Sequence, residues 1–189
     1  AASIGEVTSL AAHLSDMLPR RLANATDGMV SGTASRVVVT AGPASGKTSL
    51  ISQLVIHTLA KEDLSQVGLV PLVIRLWELA KLLRENPSAF ANAVNYADAF
   101  MRCTYGKASR RYLVLRQLLL SKRVLLLLDG VDEAGDQRAH IEEHMTTTLA
   151  QQGHIMVVTS RPAGVTDALY EGTFVRLELC PLTHLQQVA

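Results

Sequence analysis

Three stretches of this 189-residue chain place reactive residue types at spacings that could do chemistry. The first runs Ala41-Gly42-Pro43-Ala44-Ser45-Gly46-Lys47-Thr48. Its small first residue and Gly-Lys-Thr ending match the Walker A pattern, A/G-x-x-x-x-G-K-T/S. A triphosphate is cradled by successive backbone N–H groups, so the chain must wrap it closely, which demands Gly or another small residue. A helix starting at this turn points its N-terminus at the phosphates. Lys47 can reach the β- and γ-phosphates as a point charge, and the Thr48 hydroxyl can ligate Mg2+. The expected nucleotide contacts are Ala41, Gly42, Pro43, Ala44, Ser45, Gly46, Lys47, Thr48 and Ser49. Ala41 and Ala44 stand where Gly is commoner. An Ala held at positive φ costs on the order of 1 kcal/mol, which predicts weaker binding than a Gly-rich loop gives.

The second stretch is Val124-Leu-Leu-Leu-Leu-Asp129-Gly130-Val131-Asp132-Glu133. An apolar strand ending in Asp is a Walker B element, and it sets Asp129 at the C-terminal sheet edge where open α/β sheets bind ligands. Asp129 is expected to hold Mg2+, directly or through water. Asp132 and Glu133 follow one turn later, where a carboxylate can orient and deprotonate an attacking water. Both are candidate bases, with Asp132 slightly favoured. The third stretch, Ile155-Met-Val-Val-Thr159-Ser160-Arg161-Pro162, brings a hydroxyl and a guanidinium to the same edge. Arg161 either senses the γ-phosphate through charge-assisted bonds or pairs with the acidic turn. His140 and His144 invite a zinc reading, but Ile141 stands where a zincin helix needs Glu, and no third ligand stands out.

These groups need elements to carry them. Arg36–Thr40 is a short β-branched run bounded by turn residues, and so a buried strand. Thr48–Lys61 reads as the helix after the phosphate loop, and Leu69–Leu76 as a second strand. Helices are expected over Glu78–Arg84, Ala89–Met101, Arg111–Leu120 and Gln137–Gln152, with the Leu113–Leu120 stripe facing the core. Val124–Leu128 is apolar at every position, hence covered on both faces, as parallel central strands are. Strands at Ile155–Thr159 and Thr173–Leu179 follow. The alternation of strand and helix predicts a three-layer α/β fold with a parallel sheet and helices on both faces. Ahead of it, residues 1–24 show helical spacing (Ile4, Val7, Leu10, Leu14), residues 25–35 read as a linker, and residues 183–189 as the start of a further helix.

Composition narrows the function classes. Apolar residues make up 48% and charged residues 19%, as in a globular domain. Lys plus Arg number 18 against 17 Asp plus Glu, a net charge of +1, so no polyanion surface is indicated and no nucleic-acid partner is expected. Two cysteines without metal-like spacing, Cys103 and Cys180, fit a reducing cytoplasmic setting. No apolar run is long enough to span a bilayer, so no membrane role is expected. The ends read as those of a piece of a longer protein.

Taken in order, the three stretches resemble a NACHT domain, the nucleotide-binding module of the STAND class of signalling P-loop NTPases. Asp129–Glu133 is similar to that family's acidic signature, with a small residue directly after the Mg2+-binding Asp. Thr159–Pro162 resembles its sensor segment, and Pro71–Leu76 the strand after its first helix. The resemblance covers residues 36–182. It implies a P-loop NTPase fold with a sheet of about five strands in the order 5-1-4-3-2. It also implies a nucleotide-gated switch within a larger signalling protein, with slow hydrolysis, nucleotide-dependent self-oligomerisation, and protein partners reached through flanking domains. The alternative reading is a turnover P-loop ATPase or small-molecule kinase. No N/T-K-x-D stretch follows the acidic turn, which tilts the base toward ATP and leaves GTP open within the family.

Overall fold

A computed structural model describes residues 2–4, 36–43, 45–60 and 68–179 of the chain. In chain order the elements are β1 (Ala2–Ile4), β2 (Arg36–Thr40), α1 (Lys47–Leu59), β3 (Val70–Arg75), α2 (Leu76–Glu85), α3 (Pro87–Ala91), α4 (Tyr96–Tyr105), α5 (Arg110–Leu120), β4 (Val124–Asp129), α6 (Arg138–Glu143), β5 (Ile155–Ser160), α7 (Asp167–Tyr170) and β6 (Val175–Leu179). All strand pairs are parallel, in the order β1-β6-β2-β5-β4-β3. From β2 onward this is the expected 5-1-4-3-2 arrangement. The sixth strand is new: Ala2–Ile4 pairs with β6 at the sheet edge where the sequence suggested the first turn of a helix. The rest of that helix, the linker, Ala44 and residues 183–189 lie outside the described residues.

Two apolar layers sandwich the sheet. On one face Leu50, Ile51 and Leu54 of α1 pack on Val37, Val39, Leu125, Leu127 and Val157. On the other, Leu72, Ile74, Leu126, Leu128 and Val158 meet α2, α4 and α6. Every apolar residue of β4 is buried, as a strand covered on both faces requires. Truncating one of these fully buried leucines costs about 2–5 kcal/mol. The chain leaves β2 for α1 on the first face and β4 for α6 on the second. This divergence opens a crevice at the C-terminal ends of the strands, where the three sequence stretches converge.

Three helix expectations change. The one over Ala89–Met101 breaks because Asn95 is extended (φ −164°) and caps α4, its side-chain oxygen accepting from the Asp98 amide at 3.0 Å. The one over Gln137–Gln152 turns into a π-helix at His144–Leu149. Thr146 and Thr147 there bond back to the carbonyls of Glu142 and Glu143, at 2.9 and 2.7 Å, in competition with the α-helical ladder. In α5 the stripe faces the core only in part: Tyr112 and Leu119 are buried, whereas Leu113, Val114 and Leu120 are exposed. Among the described residues no helix is long and apolar enough to cross a membrane.

Candidate nucleotide site

The phosphate loop hangs from the sheet. The Ala41 amide continues the β2–β5 ladder by donating to Ser160 O at 3.0 Å, and Ala41 is buried. Ala41 is not among the residues at positive φ, so the strain expected of a residue other than Gly is absent there. Gly46 is at φ 87° and caps α1 from the left-handed region, a conformation that favours Gly. It has no side chain to occupy the amides of the first turn, and no acidic residue sits in that turn to repel an anion. Ser45 Oγ donates to Gly42 O at 2.6 Å and tightens the loop. Lys47 Nζ donates to Ala41 O and Gly42 O at 3.3 and 3.4 Å, which places the ammonium at the mouth of the loop. Pro43, Thr48 and Ser49 are exposed beside it.

Across the crevice, Asp129 ends β4. Its Oδ1 accepts from Thr159 Oγ1 at 2.5 Å, and Thr159 is fully buried. The Gly130 amide donates to the same hydroxyl at 3.0 Å and to Thr159 O at 3.2 Å. Gly130 is at φ 80°, and a Cβ added to it would meet the Glu133 carboxyl at 3.1 Å. That is why a residue without a side chain follows Asp129. Glu133 itself is exposed, its side chain folded back over Gly130.

Asp132 and Arg161 are brought together. Asp132 Oδ1 accepts from the Arg161 amide at 2.9 Å, and Oδ2 lies 3.0 Å from Arg161 Nε. Ser160 Oγ lies 3.4 Å from the same Oδ1. Of the two roles open to Arg161, the structure holds the pairing with the acidic turn. Gly164 packs under this knot: a Cβ there would fall 2.5 Å from Asp132 Cβ and 2.6 Å from Ser160 Oγ. The loop beyond is anchored by buried Glu142, which accepts from the Thr166 amide at 3.1 Å and its hydroxyl at 2.9 Å.

Gly164 was missed by sequence reasoning, and Thr159 and Gly130 were singled out there without the contact that joins them to Asp129. A polar residue near the end of an otherwise apolar strand was the available signal for Thr159. The histidines are not part of the site. His144 Nε2 accepts from the Tyr96 amide at 3.0 Å, and the two rings stack at 3.7 Å. Burial lowers the His144 pKa to about 4. His140 is exposed, and among the described residues no group of three or more His, Cys, Asp or Glu could hold a metal.

The donors at the crevice suit a metal–nucleotide complex: backbone amides at a helix start, an ammonium, an exposed hydroxyl on Thr48, and a carboxylate on Asp129 with one oxygen committed to Thr159. Comparison with known proteins bears on the same point. No curated protein matches the chain. Among solved structures, it is similar to AMPPCP-bound DnaA from Aquifex aeolicus, with 19% identity and a TM-score of 0.52 over 98% of this chain and 51% of that one. It is also similar to C. elegans PCH-2, with 15% identity and a TM-score of 0.51 over 94% of this chain and 42% of that one. Identities this low speak to the fold alone, and the chain spans about half or less of each of these proteins. The family pattern of the NACHT domain matches residues 36–187. With the phosphate loop, the acidic turn and the Thr159–Arg161 strand end meeting in one crevice, the chain belongs to the NACHT domain family of P-loop nucleotide-binding NTPase modules.

Proposed function

We propose that this chain binds ATP with Mg2+ and acts as the nucleotide-gated switch of a larger signalling protein, with slow hydrolysis resetting it. The observation that carries this reading is the double contact between Arg161 and Asp132. A guanidinium suited to a γ-phosphate and a carboxylate suited to an attacking water occupy each other. Recruiting either for nucleotide chemistry means parting the pair, which favours a two-state device with slow turnover over a fast enzyme.

In this reading Lys47 meets the β- and γ-phosphates, and the backbone amides of Ser45 to Thr48 wrap them. Thr48 and Asp129 would hold Mg2+, which would supply positive charge to offset that of the phosphates. Glu133 is the better placed base, because Asp132 is held by Arg161. Single-turnover hydrolysis, run beside equilibrium binding of ATP and GTP, tests the proposal. The expected result is measurable ATP binding with turnover well below the roughly 10 s⁻¹ typical of enzymes. Turnover near that value would make the chain an ATPase in its own right, and absence of binding to either nucleotide would reduce it to a scaffold.

A further inference from the structure

The geometry around Asp129 points to a role for Thr159 that rests on the nucleotide reading above and deepens it. We propose that Thr159 sets the metal preference of the site, by committing one oxygen of Asp129 so that the carboxylate offers a divalent cation a single oxygen and favours Mg2+ over Ca2+.

The hydrogen-bond roles at Thr159 are fixed by chemistry. A carboxylate oxygen can only accept and an amide can only donate. The Thr159 hydroxyl lies 2.5 Å from Asp129 Oδ1 and 3.0 Å from the Gly130 amide, so it must give its proton to Asp129 and accept from Gly130. Being fully buried in β5, it has no water to exchange with. The contact is short, as bonds to charged acceptors are, and it sits on a strand paired with β4 up to Leu128, the residue before Asp129. Asp129 is thereby pinned in one orientation, with one lone pair of Oδ1 taken and Oδ2 left as the less encumbered ligand atom.

The two metals respond differently to such a ligand. Mg2+ demands near-ideal octahedral geometry and takes carboxylates through single oxygens, keeping several waters. Ca2+ takes more oxygens in a flexible shell and accepts carboxylates through both. A carboxylate with one oxygen locked serves the first and penalises the second. Thr159 is thus a positioning residue, acting through Asp129, and partners of this kind typically alter metal affinity by about 10–100-fold.

The test is a titration of MgCl2 or CaCl2 into the chain with a fluorescent ATP analogue, starting from EDTA, reading bound nucleotide rather than hydrolysis. Thr159→Val keeps the shape and loses the hydroxyl, while Gly130 retains Thr159 O as acceptor. The expected result is a fall of roughly tenfold in the ratio of Mg2+ to Ca2+ affinity in Thr159→Val, with Thr159→Ser close to the parent. If Thr159→Val fails to fold, Thr159→Ala carries the same comparison. A ratio within about twofold of the parent in a folded Val or Ala variant overturns the proposal, and so does a Ser variant as impaired as Val. If the parent chain binds no nucleotide with either metal, it is the nucleotide reading that fails, and the proposal with it.

Discussion

Arg161 holds Asp132 from two directions, its amide donating to Oδ1 at 2.9 Å and its Nε lying 3.0 Å from Oδ2. The carboxylate side chain is 12% exposed and the guanidinium 55%. With the guanidinium this open to solvent, its ion pair contributes about 1 kcal/mol, little enough for a phosphate to compete with it. Asp132→Asn is therefore expected to free Arg161 for the γ-phosphate. The preference for a non-hydrolysable triphosphate over the diphosphate should rise roughly fivefold, the ratio that about 1 kcal/mol gives. Arg161→Ala should abolish the gain. Calorimetric affinities for both nucleotides decide it, and a preference unmoved by either change would make the pair purely structural.

Lys47 offers a cleaner separation of binding from folding. Among the described residues its ammonium makes two long hydrogen bonds, to Ala41 O and Gly42 O at 3.3 and 3.4 Å. Lys47→Ala should leave the melting temperature nearly unchanged. It should weaken ATP binding about tenfold or more, since a hydrogen bond to a charged group contributes about 1.5–3 kcal/mol. Unaltered affinity in the variant would remove the phosphate-loop argument.

The sheet was legible because its strands are written in composition: Val124–Leu128 has no polar residue, so it can only lie between two layers. The phosphate loop was legible because its chemistry demands small residues at fixed spacing. What pairs with what was not legible. Asp132 and Arg161 lie far apart in the chain and meet only because β4 and β5 are neighbours. The break before α4 was readable in hindsight from Asn95 and Asp98, a cap and its N3 residue. The π-helix rests on competition among backbone acceptors, which apolar periodicity does not register.

The glycines near the site should divide by what surrounds them. Gly164→Ala would drive a Cβ to 2.5 Å from Asp132 Cβ and 3.0 Å from its Cα, forcing the acidic turn away from the Arg161 loop. Overpacking of this kind costs about 1–3 kcal/mol. Among the described residues Gly42 has nothing within 4 Å of an added Cβ, so Gly42→Ala should leave stability unchanged. Urea unfolding of the two variants tests the contrast, and similar midpoints would contradict the packing at Gly164.

His144 predicts an acid limit. Its pKa is lowered by burial to about 4 from an ordinary 6.5, so folding favours the neutral ring. The stability this gives is fully present above pH 6.5 and is lost as pH falls toward 4. The neutral ring accepts from the Tyr96 amide, and a protonated one would set two donors against each other. Between these values the cost should approach about 1 kcal/mol per pH unit. His144→Gln, which keeps an acceptor and loses the titration, should flatten the loss between pH 7 and pH 5 in denaturant unfolding. An equally steep loss would assign acid sensitivity to other groups.

The hydrolytic base should be Glu133. Asp132 has both carboxylate oxygens engaged by Arg161, whereas Glu133 is exposed and its side chain makes no ion pair among the described residues. Its fold over Gly130 keeps it beside Asp129, within the turn that ends β4. A positioned base contributes about 10²–10⁴ in rate, so Glu133→Gln should slow single-turnover hydrolysis at least a hundredfold. Triphosphate affinity should hold, because the carboxylate acts on the attacking water and not on the bound phosphates. Asp132→Asn should slow hydrolysis far less. If instead Asp132→Asn abolishes the reaction and Glu133→Gln spares it, the base is Asp132, and parting it from Arg161 becomes an obligatory step before each turnover.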